Sequence, residues 1–213
     1  MTANATPLDD AGLDDASPAA EPGTRSPRGR LLRGLAASIR ERGFRETKVS
    51  DIVRHARTSR RTFYEEFATK DECYVALLKA VSTILERRIA EAIDRDAPWR
   101  AQVRQGIEAW VGLVASEPEL TLSWIRELQG LDPTTARRMQ RESMESLITL
   151  LVGLSASARA DVAPVSRSMA LVLLGGLREL TASVVEGGGD VRDITETAVA
   201  AATALLAPDT RPR

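Results

Sequence analysis

The segment VSDIVRHARTSRRTFYEEF, residues 49–67, decides how this chain folds. Its apolar residues Val49, Ile52 and Val53 recur at the spacing of one helix, and a second helical pattern surrounds Phe63. A polar turn separates the two patterns. Two short helices joined in this way are typical of a helix-turn-helix, whose second helix can enter the major groove of DNA.

The second helix of this pair has distinct inner and outer sides. At about 100° per residue, a helix that turns Phe63 towards the core places Arg61 on the opposite side. Thr62 and Tyr64 then lie on the two flanks, and Arg60 lies nearer the edge. An arginine fork binds guanine or bridges phosphate oxygens, and short hydroxyls hold the phosphate backbone. We therefore expect this outer side to face DNA; the alternative is an ordinary solvated helix surface.

The charge distribution indicates a polyanion as the partner. Residues 25–70 contain thirteen basic and five acidic residues, whereas the whole chain has a net charge of −1. A basic segment inside a nearly neutral chain is typical of a protein that binds nucleic acid. Residues 1–24 contain five acidic residues, no basic one and few bulky apolar side chains. They predict a disordered acidic extension over residues 1–26.

Helical periodicity continues from residue 27 almost to the C-terminus, and no strand-length alternation of β-branched residues competes with it. Proline fits the first turn of a helix and disrupts its interior, so Pro98 and Pro118 are expected at helix boundaries. We predict an all-α fold of about nine helices. Residues 27–72 form the predicted helix-turn-helix domain, and residues 73–208 form a second helical domain.

Capping residues predict where the early helices begin and end. Gly43 is expected to end the first helix, and Thr47 is expected to cap the second. The run Thr69-Lys-Asp-Glu72 has the form of a capping box and predicts the start of a long helix. Lys70 would then bring a cation to a helix start, where free backbone N–H groups already favour an anion.

The stretch RHARTSRRTFYEEFATKDEC, residues 54–73, resembles the helix-turn-helix signature of the tetracycline-repressor (TetR) family. The positions that match in type and spacing are Ala56, Ser59, Thr62, Tyr64, Phe67, Thr69, Lys70 and Asp71. The match covers about residues 31–78, and the rest of the chain agrees in helical layout only. The resemblance implies a sequence-specific DNA-binding transcriptional regulator. The predicted DNA contacts are Lys48, Ser50, Ser59, Arg60, Arg61, Thr62, Tyr64 and Lys70.

The segment departs from the family pattern in its turn and in its charge. Arg57 stands where the turn usually has glycine, and Thr58 stands where it has valine. If the backbone at Arg57 is left-handed, its side chain costs about 1–2 kcal/mol. Glu65 and Glu66 bring negative charge near phosphates and weaken binding unless they are screened. These differences keep one alternative open, a helical ligand-binding or interaction module that has lost DNA binding.

In the TetR family the C-terminal helices form a small-molecule pocket and a homodimer interface. The resemblance therefore implies a repressor released from a pseudo-palindromic double-stranded DNA operator by a small molecule. Because the middle helices carry no charged cluster, we expect an apolar or amphipathic ligand. The candidate pocket residues are Trp110, Trp124, Met139 and Met144, for which plain core packing is the alternative.

The last two helices are the predicted homodimer interface. Residues 164–186 form a broad apolar face with a Gly175-Gly176 pair that permits close approach, and the final helix is rich in alanine. The alternative is that both helices are buried within one subunit.

Composition argues against an enzyme. His55 is the only histidine and Cys73 the only cysteine, and no metal-ligand spacing, phosphate-binding glycine loop or nucleophile elbow is present. We therefore expect no catalytic residue, no metal and no cofactor. Without a secretory signal or an apolar run of about 18 residues, a cytoplasmic protein with no membrane segment is expected.

Overall fold

The computed structural model of the chain describes residues 26–127, 131–157 and 165–207. Within these ranges the backbone forms nine α-helices, one 3₁₀ helix and no β-strand, which confirms the predicted all-α fold. The helices are α1 (Pro27–Glu46), α2 (Val49–His55), α3 (Arg60–Glu66), α4 (Lys70–Ala92), α5 (Trp99–Ser116), α6 (Pro118–Glu127), α7 (Pro133–Ser157), α8 (Arg167–Glu186) and α9 (Thr195–Leu206), with the 3₁₀ helix Val191–Ile194 before α9. The predicted acidic extension lies outside the described residues, apart from Ser26.

α1 is interrupted by a glycine near its C-terminal end. Gly43 has φ 76° and ψ 166°, so the helix is kinked there, yet its last turn follows the kink. The prediction that Thr47 caps α2 was wrong. Thr47 ends α1 instead, because its hydroxyl donates to the main-chain oxygen of Gly43 at 2.7 Å, and Lys48 is the N-cap residue of α2.

α1 and α2 cross at close range because Gly34 has no side chain. A Cβ atom at Gly34 would lie 2.5 Å from the main-chain oxygen of Ile52 and 3.0 Å from the Cβ of Ala56. Both distances are too short for an alanine to be accepted without a shift of the backbone. The close crossing therefore fixes α2 relative to α1.

The described chain divides into two compact units. The first contains α1 to α3, α4 up to Ile84, and α6; the second contains residues 85–115 and the chain from residue 140, with α5, α8 and α9. The functional domains at 27–72 and 73–208 stay a prediction.

A buried cluster around Tyr74 lies in the first unit. The rings of Tyr74 and Phe44 stack with centroids 3.9 Å apart. The Tyr74 hydroxyl lies 2.8 Å from the Ser123 hydroxyl, which donates to the Glu127 carboxylate at 2.5 Å. The same carboxylate oxygen accepts the main-chain N–H of Phe44 at 3.2 Å. Glu127 therefore ties the end of α6 to the end of α1, and burial raises the pKa of Tyr74.

The start of α6 is tied to α1 by an ion pair. Arg40 donates from Nε to one oxygen of Glu117 at 2.7 Å and from a terminal nitrogen to the other oxygen at 2.9 Å. The Glu117 side chain is only 4% exposed. The hydrogen bond between the two side chains raises the pKa of Arg40. A carboxylate buried to this extent depends on its partner, because an uncompensated buried charge is costly.

The second unit packs its helices around an apolar core. Small residues that are fully buried, Ala170, Ala182, Ala198 and Ala202, lie on α8 and α9 and permit close helix contact. At the surface, Arg104 donates two hydrogen bonds to Glu196, at 2.7 and 2.9 Å.

One side of α8 is apolar and exposed. Leu171 is 50% exposed and Val172 59%, and a Cβ built on Gly175 or Gly176 would meet no atom within 4 Å. By length and composition α8 is the one helix in the described part of the chain that could cross a membrane. The same composition suits a helix that packs against another protein surface.

We expect Arg40→Ala to lower the free energy of unfolding by about 2–3 kcal/mol, because it leaves the buried Glu117 carboxylate without its main partner. The matched control is Arg42→Ala, two residues further along α1. Arg42 forms ion pairs at the surface with Glu41 and Asp51, so its loss should cost clearly less. Urea denaturation at pH 7 measures both values, and equal losses would contradict a special role for the Arg40 pair.

Candidate functional site

Caps at both ends and one buried ring hold the seven-residue helix α3 in place. Ser59 Oγ accepts the main-chain N–H of Thr62 at 3.1 Å, and Phe63 in the middle of the helix is fully buried. At the other end Arg28 donates to the main-chain oxygen of the last helical residue at 3.1 Å, and its guanidinium lies 4.2 Å from the Phe67 ring centroid. A helix this short is not stable alone in water, so these contacts position it.

The outer side of α3 carries the residues predicted to lie there. The Arg61 side chain is 89% exposed, Tyr64 is 59% exposed, and Arg60 is exposed at the start of the helix. Arg61 donates from Nε to Glu65 at 2.9 Å. Both terminal nitrogens of Arg61 make no hydrogen bond to the described residues. The predicted orientation of α3 is therefore confirmed, while DNA contact at these residues stays a prediction.

The turn between α2 and α3 has the left-handed backbone that a glycine would favour. Arg57 has φ 49° and is the one non-glycine residue with positive φ in the described chain. The main-chain N–H of Thr58 donates back to Val53 at 3.0 Å and closes the turn. The left-handed conformation considered in the sequence analysis is therefore present, and it is strained because Arg57 has a side chain.

Three other predicted DNA contacts lie at helix starts. Lys48 is exposed at the N-cap of α2, and its main-chain N–H donates to Asp51 at 2.9 Å. Ser50 is half-buried in the first turn of α2. Ser59 is exposed, and its hydroxyl lies 3.0 Å from the Thr62 hydroxyl. These three predicted contact residues therefore lie at the starts of α2 and α3.

Lys70 lies at the predicted helix start but binds the protein itself. Its ammonium donates to the main-chain oxygens of Phe44 and Thr47, both at 2.9 Å, and more weakly to that of Arg45 at 3.4 Å. It also lies 4.3 Å from the Phe44 ring centroid. Desolvation lowers the pKa of Lys70. The structure thus shows a cation that caps the C-terminal carbonyls of α1, while the phosphate contact of Lys70 stays a prediction.

Glu41, on α1, forms hydrogen bonds with two arginines and a histidine from α1 and α2. Its carboxylate accepts from His55 Nε2 at 3.0 Å, from Arg42 at 2.9 Å and from Arg54 at 2.9 Å. The hydrogen bond from His55, followed by those from Arg42 and Arg54, lowers the pKa of Glu41 to about 2. His55 is thus held by a surface carboxylate.

Cys73 is a core residue. It is fully buried, and burial raises the pKa of its thiol to about 12, so it is not a reactive thiolate at neutral pH. Across the described ranges no group of three or more His, Cys, Asp or Glu side chains is arranged to hold a metal ion.

A second candidate site is an apolar cavity inside the second unit, with a volume of about 130 Å³. Five helices contribute to its wall, together with residues next to them. The lining residues include Ile89 from α4, Trp99 and Trp110 from α5, Leu151 from α7, Leu177 from α8 and Leu206 from α9.

Of the four pocket residues predicted from the sequence, the structure brings only Trp110 to this cavity. Trp124 and Met139 belong to the first unit, and Met144 packs against the core cluster of the second. The other lining residues were missed because a helix face that borders a cavity has the same apolar spacing as a face packed on a neighbour. The sequence offers no signal that separates the two.

The N-terminal helices match a known family. Residues 31–77 match the model of the N-terminal domain of bacterial regulatory proteins of the tetR family. This span contains most of α1, all of α2, the strained turn, α3 and the first residues of α4. Among curated proteins, none matches the chain.

Solved structures similar to this chain share its fold at low sequence identity. The reduced form of E. coli NemR is 18% identical with a TM-score of 0.71, over 87% of this chain and 100% of that one. FadR from Bacillus halodurans, a fatty acid degradation regulator, is 16% identical with a TM-score of 0.70, over 92% and 100%. FadR from Bacillus subtilis, solved with stearoyl-CoA, is 18% identical with a TM-score of 0.68, over 83% and 96%.

Arg57→Gly should raise the free energy of unfolding by about 1 kcal/mol, because glycine adopts a positive φ without a steric penalty. The control is Arg54→Gly, three residues earlier within α2, where glycine should instead lower stability by about 1 kcal/mol. Urea denaturation of the full chain without DNA gives both values. A loss of stability in Arg57→Gly would show that the turn is not strained.

Proposed function

Given that the chain belongs to the tetR family of bacterial regulatory proteins, a family of DNA-binding transcriptional regulators, we propose that it is a homodimeric repressor acting in the cytoplasm. Its operator would be a pseudo-palindromic stretch of double-stranded DNA, and a small molecule bound in the cavity of the second unit would release it. The observation that carries this proposal is the outer side of α3, where Arg61 and Tyr64 are exposed on a helix whose opposite side is buried.

We assign the reading of bases to Arg61. Its pairing with Glu65 uses Nε and leaves the terminal nitrogens for the two acceptors of a guanine edge. Tyr64, Thr62 and Ser59 provide hydroxyls at the flank and start of α3, which suits phosphate contacts that set the register on DNA. Lys70 positions the end of α1, and its charge at the start of α4 remains a proposed phosphate contact.

The dimer would form through α8 and α9. Met169, Leu171 and Val172 are large apolar side chains at the surface of α8, and the open space around Gly175 and Gly176 lets a second helix approach closely. Burial of such side chains between two subunits removes apolar surface from water. A two-fold dimer also supplies the two recognition helices, about 34–36 Å apart, that a pseudo-palindromic operator requires.

One observation favours a second function, a helical binding module without DNA affinity. Glu65 is 57% exposed on the same helix as Arg61 and adds negative charge to the side that would meet phosphates. The two functions differ in their salt dependence, because binding through phosphates releases counterions and weakens steeply as salt rises.

Arg61→Ala and Tyr64→Ala should each weaken operator binding roughly tenfold or more, while the helical content of the protein is retained. The operator is first located by footprinting on genomic fragments, including the DNA upstream of the gene for this chain. The matched control is Arg141→Ala, which removes an exposed arginine from α7. Fluorescence anisotropy over a salt series gives the affinities, and weak, salt-independent binding by the wild type would favour the binding module.

Val172→Glu should convert the dimer to a monomer of 23.1 kDa, because it places a charge in the proposed interface. Ala92→Glu, which adds the same charge at an exposed position on α4, should leave the dimer intact. Sedimentation equilibrium measures both masses, with circular dichroism to verify folding. A wild-type chain that sediments as a monomer would rule out the proposed homodimer.

A further inference from the structure

The wall of the cavity in the second unit is almost entirely hydrocarbon. Among the described residues that line it, none is Lys, Arg, Asp, Glu or His. The polar side chains in the lining are Gln102 and Ser155, together with the indole N–H groups of Trp99 and Trp110. A ligand in this cavity therefore meets no counter-ion from the part of the lining that the structure describes.

The two polar side chains are already engaged with the main chain. Ser155 donates its hydroxyl proton to the oxygen of Val152 at 2.7 Å and accepts the N–H of Val165 at 3.0 Å. The amide nitrogen of Gln102 donates to the oxygens of Ala97 at 2.8 Å and Arg95 at 3.2 Å. What remains for a ligand is the Gln102 amide oxygen and two indole N–H donors, all of them neutral.

This chemistry discriminates against ions. An ionised carboxylate or phosphate that enters an apolar site loses its hydration, and only a cation or several strong donors can replace it. The described lining residues supply neither. A neutral molecule has no such penalty, and its apolar surface gains affinity on leaving water.

The volume limits the ligand further. A dry apolar cavity of about 150 Å³ takes a molecule the size of benzene, which is close to the 130 Å³ found here. One aromatic ring with a short substituent fits within this space, whereas a long acyl chain would have to extend beyond it. Trp99 and Trp110 contribute aromatic side chains to the lining around such a ring.

We infer that the cavity selects neutral, largely apolar molecules built on a single ring and excludes carboxylates and acyl-CoA thioesters. The inference rests on the proposed function, in which this cavity is the effector site, and it names the chemical class of the effector. It also separates this chain from the structurally similar FadR that was solved with stearoyl-CoA.

A larger side chain at Gly106 would fill the cavity without replacing a buried core residue. It lies in α5 and lines the cavity, and a Cβ atom there would sit 3.5 Å from Ile93 Cδ1 and 3.9 Å from Ile89 Cγ2. These are ordinary contact distances, so alanine fits. Leucine at this position would extend into the cavity. Both replacements also favour the helix over glycine.

The test is calorimetric titration of the full-length protein, without DNA, with benzene, toluene, benzoate and stearoyl-CoA at pH 7. Toluene should bind at least tenfold more tightly than benzoate, and stearoyl-CoA should not bind. Affinity should rise about fourfold from benzene to toluene, the gain expected for one buried methyl group. Gly106→Leu should weaken toluene binding at least tenfold, whereas Gly106→Ala should keep it. Urea denaturation shows that both variants fold.

Benzoate or stearoyl-CoA binding as tightly as toluene would overturn the inference, as would unchanged toluene binding in a folded Gly106→Leu protein. Operator release is measured separately by adding toluene to the protein–DNA complex. If toluene binds with the expected selectivity but leaves DNA binding unchanged, the ligand class stands and the effector role of the cavity fails. If benzoate binds and releases the operator, the regulator stands and the ligand class fails.

Discussion

The burial of Phe63 is the interaction on which the candidate DNA interface depends. α3 has seven residues, too few to be helical in water on its own, so its direction is set by the ring that it buries and by the groups that cap its ends. That buried ring turns Arg61 and Tyr64 outward. The platform beneath depends in turn on Gly34, whose missing side chain lets α2 approach α1. A change in either contact would move the outer side of α3 even though none of its exposed residues had changed.

The basic segment offers fewer unpaired charges to a polyanion than its composition suggests. Thirteen basic residues lie between positions 25 and 70, but several are used within the fold. Arg28 caps α3, Arg40 neutralises the buried Glu117, and Lys70 caps α1. Arg42 and Arg54 share the carboxylate of Glu41. A cation paired with a carboxylate adds little net charge, whereas Arg28 and Lys70 bind neutral carbonyl oxygens and keep theirs. The electrostatic footprint therefore narrows to the outer side of α3 and the neighbouring helix starts.

The two candidate sites differ in how much of them could be read from the sequence. On α3 a single buried aromatic sets the phase of the helix, so the exposed positions follow from the spacing, and the left-handed turn at Arg57 follows from the family pattern. The cavity is different, because its wall combines residues from α4, α5, α7, α8 and α9. Trp110 was identified, whereas Trp124 and Met139, equally apolar, belong to the other compact unit. Hydrophobicity predicts burial and does not say which buried faces leave space between them.

The sequence by itself determined the all-α fold, the extent of the helix-turn-helix and the outward side of α3, because these follow from local periodicity, capping and turn chemistry. The sequence and the structure differ in the partners of single side chains. Thr47 reads as the N-cap of α2 but ends α1 through Gly43, and Lys70 binds carbonyls more than twenty residues away, which its place at a helix start does not indicate. Only the tertiary structure decided these roles, together with the Arg40–Glu117 pair and the shape of the cavity. The physical reason is that the helices that pack together set the partner of a side chain, and the local sequence does not show which helices these are.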